Sequence, residues 1–372
     1  MNKKILFLTA FLPHFGAAAE KNTLLMLEDL SKSFYVDLVY FKYAEQPDYV
    51  VPNENIDVKH VYTNSVFQKL LNVAMYPFVH PLFSVRFNWS ILSELKRLIK
   101  ENHYDAIVCD HSQMFLYGKK LGNAIPKILY SHDVIAQRVG RSSNSIVTAV
   151  CKRSECKLVK QGNAHNFTVS GKDCVLLNEL YNANAKLALL YLDPIVEKTA
   201  PTEIKTNDFV FMGKWSRSDN LDGVVWFFKE VAPLIQEDVT ISIIGKGFPK
   251  DRVVNNNPHV KVNILGFVEN PYEMIANCTA VLSPLFTGAG IKVKVIESLA
   301  CGTPIVGTEV AFEGLDKKFS DFMLLCNEPS DYINAMEVAK LKSLEARKQM
   351  KNMFIADYQS ETIPNYLKKI LA

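Results

Sequence analysis

The sequence predicts two α/β halves joined by a linker, each half a parallel sheet covered by helices on both faces. Three observations predict it. Strand-length apolar runs alternate with segments of helical spacing from Ile5 to Val169. The alternation lapses over a proline-bearing, largely polar stretch at 196–207. It then restarts at Phe209 and continues to Val306. Uninterrupted apolar strands set between helices are what a sheet buried on both faces requires.

In the first half, strands are predicted at Ile5–Thr9, Val36–Tyr40, Ala106–Cys109, Ile128–Tyr130 and Asn166–Val169, with helices near Glu20–Lys32 and Ile91–Lys100. The amino terminus admits two readings. Lys3 and Lys4, the apolar run to Leu12 and the alanines 17–19 have the order of a secretory signal. Alternatively Ile5–Ala10 is a buried strand, with Pro13, Gly16 and the alanines turning into the first helix. A second strand at Val36 completes a βαβ unit and favours that reading. No apolar stretch reaches the roughly 20 residues needed to span a bilayer. The nearest, Val66–Trp89, is broken by Pro77, His80, Pro81 and Arg86, and it sets six aromatic residues beside Lys69 and Arg86. Such a mixture suits a membrane interface. Packing as a helix pair in the first domain is the favoured reading, and a peripheral membrane contact stays open.

In the second half, strands are predicted at Phe209–Met212, Thr240–Ile244, Val262–Ile264, Ala280–Ser283 and Pro304–Val306. Helices separate them at Asn220–Ile235, Tyr272–Asn277 and Ile291–Ala300, and the chain is helical from Ser330 onward. The expected division is 1–195, a linker at 196–207, 208–355, and a last helix at 356–372 that crosses back to the first domain. Doubly wound sheets bind ligands outside the carboxyl ends of their strands, so two such halves are expected to face a ligand cleft.

A chain of 372 residues suffices for two cores. With 48% apolar and 22% charged residues the composition is that of a soluble globular protein, and a cytoplasmic location is expected. The net charge of +3, with no basic run, argues against a nucleic-acid partner. The seven cysteines are odd in number and mostly sit in apolar runs, so they read as reduced thiols. None has zinc-like spacing, and no metal site is expected.

The most informative segment runs from Ser283 to Pro304. A strand ends at Ser283, Gly288-Ala289-Gly290 turns the chain, and a helix follows that stops at Gly302. Glycines at 288 and 290 let the backbone approach a ligand, and a helix amino terminus offers amides to phosphate. At 100° per residue, Gly290, Lys294, Glu297 and Cys301 share one stripe, while Ile291, Val295 and Leu299 share the stripe facing the sheet. Glu297 falls about 10 Å along the axis from Gly290. A diphosphate at the turn would place a ribose at that carboxylate, which accepts from two vicinal hydroxyls. The plainer alternative is a tight turn followed by a surface ion pair of Lys294 and Glu297.

This segment resembles the donor-binding region of GT-B glycosyltransferases of family 4, the group 1 glycosyl transferases. Phe211-Met212-Gly213-Lys214, Ile243–Gly247, Leu265-Gly266-Phe267-Val268 with Tyr272, and Glu313-Gly314-Leu315 resemble the surrounding family segments. The likeness is close from Phe209 to Leu315 and loose in the first half. It implies two Rossmann-like domains facing a cleft and transfer of a hexosyl group from a nucleoside diphosphate sugar, UDP- or GDP-linked. Implied donor-binding residues are Gly16, Gly213, Lys214, Arg217, Gly266, Gly288, Ala289, Gly290, Ile291, Lys292, Lys294 and Glu297. Lys214 and Lys294 would also serve catalysis, and His132 matches a first-domain histidine at the reacting sugar. Asp133 beside it is expected to orient its ring. The sequence departs from the family at Ala289, where many members carry a glutamate, and at Asp219-Asn220, where a lysine is usual.

The resemblance further implies retention of configuration, no metal or other cofactor, a glycan or lipid-linked acceptor, and a place in cell-surface polysaccharide synthesis, at the inner face of the plasma membrane. Two rivals remain: a nucleotide-sugar epimerase of similar fold and a non-catalytic nucleotide-binding partner of another transferase. A dinucleotide oxidoreductase is disfavoured because neither Gly245-Lys246-Gly247 nor Gly288-Ala289-Gly290 has the third glycine.

Overall fold

The computed structural model describes residues 3–15, 18–141, 143–288 and 290–372. The chain divides into two compact units, Met1–Tyr191 with Ser360–Ala372, and Leu192–Gln359.

The first unit is built on seven parallel strands: β1 (Lys4–Thr9), β2 (Tyr35–Phe41), β3 (Ile56–Tyr62), β4 (Ala106–Asp110), β5 (Lys127–Ser131), β6 (Ala164–Thr168) and β7 (Lys186–Leu187). Their order is β3-β2-β1-β4-β5-β6-β7. Ile5 to Leu8 are at most 1% exposed, so the amino-terminal apolar run is a central strand. The sequence does not announce β3, because as an edge strand it alternates buried Ile56 and Tyr62 with Asp57, Lys59 and His60 and carries no apolar run. The carboxyl-terminal helix Ile363–Ile370 belongs to this unit and buries Ile363 and Leu367. Tyr366 packs its ring 4.6 Å from that of Phe167, and Leu189 N donates to Glu361 O at 2.9 Å.

The aromatic segment splits. Phe83 and Phe87 join the core with Leu92, Leu95 and Tyr117, whereas Phe67 and Phe78 are 75% and 74% exposed. Among the described residues no helix is long and apolar enough to cross a membrane.

The second unit holds six parallel strands: β8 (Lys205–Met212), β9 (Val239–Ile244), β10 (Val260–Gly266), β11 (Cys278–Ser283), β12 (Ile305–Gly307) and β13 (Met323–Leu325). Their order, β10-β9-β8-β11-β12-β13, repeats the pattern of the first sheet. In each sheet the winding reverses beside the first strand, at β1/β4 and at β8/β11, leaving a crevice at the carboxyl ends there. The stretch expected to be a linker is part of this unit. Pro194–Lys198 forms a helix capped by Asp193, and Lys351 Nζ donates to Val196 O and Glu197 O, both at 2.9 Å. Residues 205–207 already belong to β8. Three short apolar positions in β13 were too few to signal a strand.

The helix expected over Asn220–Ile235 is three pieces: an α-helix at Ser218–Trp226, a π-turn at Phe227–Val231 and a 3-10 turn at Ala232–Leu234. Pro233 has no amide hydrogen and ends the helical ladder. The α-helical piece lies against the exit of β11 so closely that a Cβ on Gly223 would stand 2.0 Å from Pro284 O. Gly223→Ala is therefore expected to force helix and loop apart, destabilising the second unit by about 2 kcal/mol. Urea unfolding followed by the fluorescence of Trp215 and Trp226 checks this; an unchanged midpoint would refute the contact.

Candidate active site

At the β8/β11 switch point of the second unit, the turn after β8 carries Gly213 and Lys214, and Gly213 N donates to Ile244 O at 3.2 Å. The next turn continues the edge, with Gly245 N donating to Gly266 O at 2.7 Å. Asn220, in the first turn of the Ser218–Trp226 helix, joins this edge to the loop after β11. Its Nδ2 donates to Lys214 O at 3.1 Å, and its Oδ1 accepts from Lys294 Nζ at 2.9 Å.

The loop between β11 and the helix Val293–Ala300 has Gly288 at φ 115° and Gly290 at φ 70°, conformations that L side chains resist. Ala289 and Gly16 lie outside the described residues. The helix begins two residues later than expected, with Lys292 as N-cap in extended conformation. Gly290 and Ile291 are therefore in the loop, and the predicted stripe starts only at Lys294. The positive φ angles at 288 and 290 hold the chain out of helix there. Lys292 has no acceptor atom to cap the amides that open the helix. Its ammonium turns back onto Gly290 O at 2.6 Å and lies 3.6 Å from the Glu313 carboxylate.

Burial pulls the Lys294 ammonium down to about 8; the Asp219 carboxylate opposes the shift, while Arg217 and Lys292 add to it. Arg217 holds Asp219 with two bonds, Nε to Oδ1 at 3.0 Å and a terminal nitrogen to Oδ2 at 2.6 Å. Burial works to raise the Asp219 carboxyl, and Arg217 overcomes it, so the group sits below its usual range. Lys214 is exposed. One turn beyond Lys294, Glu297 is 9% exposed and accepts the Tyr272 hydroxyl at 3.0 Å. Gly266 ends β10 and is followed by Phe267, 73% exposed. The structure thus brings Gly213, Lys214, Arg217, Lys292 and Lys294 to one switch point. Asn220 and Glu313 complete it; the sequence marks them only as a departure from the family pattern and as part of a family-like segment, and gives neither a role. A separate hollow of about 770 Å³, lined by Phe228, Arg252 and His259 among others, lies near the amino ends of β9 and β10.

The first unit has its own cluster at the β1/β4 switch point. Asp110, wholly buried at the end of β4, receives Thr9 Oγ1 at 2.8 Å and Thr23 Oγ1 at 2.6 Å on Oδ2. Its Oδ1 is 2.8 Å from His132 Nε2. The rings of His111 and His132 stack with centroids 3.6 Å apart. Burial tends to raise the Asp110 carboxyl, but both histidines and Thr23 outweigh it and hold the group down at about 2. Burial pushes His111 well below the usual imidazole range, against the pull of Asp110. His111 has φ 67°, a strained backbone held by its surroundings. Asp133 does not orient His132 as expected. It pairs with Arg138 at 2.6 Å, and Asp110, one strand away, takes its place. The sequence neighbour leaves β5 toward the helix that follows, whereas β4 delivers Asp110 beside the ring. Glu155 fixes the turn after His132 by accepting Ile135 N at 2.8 Å and Ala136 N at 3.1 Å.

Asp110, His111 and His132 bring ligand atoms within 4.8 Å of one another, a set that could hold a metal ion. Both Asp110 carboxylate oxygens also have hydrogen-bond partners within the protein.

Residues 206–339 match the family described as glycosyl transferases group 1. That match takes in most of the second unit. The chain as a whole has the GT-B fold. HepE of Anabaena, solved with UDP, superposes with a TM-score of 0.66 at 15% identity over 99% of this chain and 98% of that one. WaaG, a glycosyltransferase of lipopolysaccharide biosynthesis, gives 0.60 at 11% identity, with the same coverage of 99% and 98%. A curated relative from Campylobacter jejuni, an N-acetylgalactosaminyltransferase acting on a diphospho-undecaprenol-linked acceptor, is 28% identical over 150 residues. That match spans 39% of this chain and 37% of the relative. The polar switch-point cluster of the second unit lies inside the matched range, and the Asp110 cluster lies outside it.

Asp110→Ala is expected to remove the buried acceptor shared by Thr9, Thr23 and His132, leaving Thr23 its bond to Ala19 O, and to cost the first unit about 3 kcal/mol. Urea unfolding followed at Trp89 checks this; a loss under about 1 kcal/mol would show that the cluster is held by other contacts.

Proposed function

We propose that the protein is a glycosyltransferase that moves a hexosyl group from a nucleoside diphosphate sugar to a glycan or lipid-linked acceptor. The observation that carries the reading is the Asn220 bridge, which sets Lys294 beside Lys214 at the opening of a helix, with Lys292 close by. Breaking the anomeric bond places charge on the departing diphosphate. Lysines 214, 292 and 294 and the amides of the Val293–Ala300 helix are suited to stabilise it, the contribution that is usually largest. Glu297, held by Tyr272, would accept the ribose hydroxyls.

The reaction proceeds with retention and without a metal or other cofactor, the departing phosphate taking the proton of the acceptor hydroxyl. His132, oriented by Asp110, acts at the reacting sugar. UDP is the favoured nucleotide, since HepE was solved with UDP and with UDP-glucose, and the E. coli trehalose-6-phosphate protein with UDP-2-fluoro glucose. The Campylobacter relative and WaaG support an acceptor in cell-surface glycoconjugate synthesis, handled at the cytoplasmic face of the membrane.

Calorimetric titration with UDP and GDP tests the site. UDP is expected to bind, and Glu297→Gln to weaken it about tenfold by loss of a charged acceptor. Absence of binding by either nucleotide would overturn the proposal.

The Lys294 ammonium near 8 supplies a pH signature. A lysine with a lowered value is charged below that value and neutral above it, so affinity for the anionic diphosphate falls as pH rises beyond about 8. Lys294→Arg keeps its charge and should flatten the profile; a profile unchanged by that substitution refutes the role of Lys294. Transfer of radiolabelled sugar in excess EDTA, with His132→Ala losing turnover at unchanged UDP affinity, separates an enzyme from a nucleotide-binding partner.

A further inference from the structure

The helix Val66–Met75 is turned inside out. The one residue it buries is Asn72, whose amide donates to Ser84 O at 3.0 Å and also to Phe87 O. Its apolar side chains face outward, with Phe67 75%, Leu70 65% and Met75 50% exposed. A helix on a water-facing surface does the reverse, and a contiguous exposed apolar patch marks a docking surface.

The patch continues onto a second helix, Ser145–Val159. Ser154 Oγ accepts His80 N at 2.9 Å, so the segment after Phe78 rests on that helix. Val150 and Ile146 lie one and two turns back on the stripe that ends at Ser154, and both are exposed. Phe78 itself is 74% exposed at the junction.

Charge selects the occupant. No acidic residue occurs between Asp57 and Glu94, or between Asp133 and Glu155, and Glu155 is buried. Basic residues do occur there. Lys69 lies on the first helix, and exposed Lys152 and Arg153 lie on the second. Exposed Lys120 stands 5.8 Å over the ring of Trp89. Protein interfaces are depleted in lysine, and a two-fold dimer through this face would set basic groups against their own copies. Aliphatic and aromatic side chains rimmed by lysine and arginine, with no acid among them, match an anionic lipid surface.

We propose that the first unit docks on an anionic phospholipid bilayer through this face, with Phe67, Leu70 and Phe78 entering the acyl boundary and Lys120 and Arg153 meeting the headgroups. The surface deepens the membrane-side reading above and involves no residue of the proposed transfer site. A lipid-linked acceptor would then be met in the plane of the membrane.

Co-sedimentation of the full chain with vesicles of phosphatidylcholine alone, and of phosphatidylcholine with phosphatidylglycerol, tests it. Binding to the anionic vesicles is expected, weakening with added salt. It should fall about tenfold or more in the triple variant Phe67→Ser, Leu70→Ser, Phe78→Ser, and again in Lys120→Glu, Arg153→Glu. All five side chains are exposed, and UDP titration of each variant reports whether the fold is intact. Failure of the wild-type chain to bind anionic vesicles would overturn the proposal. So would a dimer in analytical ultracentrifugation that the triple variant abolishes. If UDP binds neither wild type nor variants while vesicles are bound, the transfer reading fails and the docking surface stands.

Discussion

One side-chain amide ties the second unit's site together. Asn220 donates to the backbone of the β8 turn and accepts from the lysine that opens the helix after β11, so two loops that meet only at the sheet's reversal are pinned to each other. The reversal makes the crevice, since helices leave β8 and β11 toward opposite faces. Without a bridge the crevice would be two independent loops. With it, Lys294 is drawn out of water onto a fixed acceptor, and desolvation lowers its proton affinity. The chemistry proposed here depends on that position more than on any single charge.

The first unit solves the same problem with a carboxylate. Asp110 gathers Thr9 from β1, Thr23 from the helix Ala18–Ser31 and His132 from the end of β5 onto one buried group. The carboxylate is costly to bury and stays ionised because every neighbour favours its charge. The arrangement fixes the His132 ring through Nε2. The strained backbone of His111 fits the same account, because its ring is wedged between Phe11 and His132.

Most of this fold was legible because buried parallel strands are written as apolar runs. Ile5 to Leu8 or Ala280 to Ser283 could be read directly. The edge strand Ile56–Tyr62 could not, since one flank faces solvent and its side chains are mixed. The glycine loop and Glu297 were visible as a motif. The start of the helix after it was not, because positive φ at Gly290 and an extended Lys292 depend on the loop's packing. Asp110 was hidden for a different reason. Its partnership with His132 spans 22 positions and one strand crossing, whereas Asp133 is adjacent in sequence and therefore suggested itself.

The departures from the family pattern form a consistent set. Where a second lysine is usual, this chain has Asp219-Asn220, which at first sight removes positive charge from a phosphate site. In the proposed phosphate site, neighbouring groups offset that loss. Asp219 is neutralised by Arg217 through two bonds, and Asn220 recruits Lys294 to the vacated corner. Lys292 is in turn balanced by Glu313. The cationic character is thus kept, but on a desolvated lysine with a labile proton instead of a solvated one. A site built this way binds an anion best when the anion itself supplies the missing counter-charge, which is the situation of a diphosphate leaving group as its bond breaks.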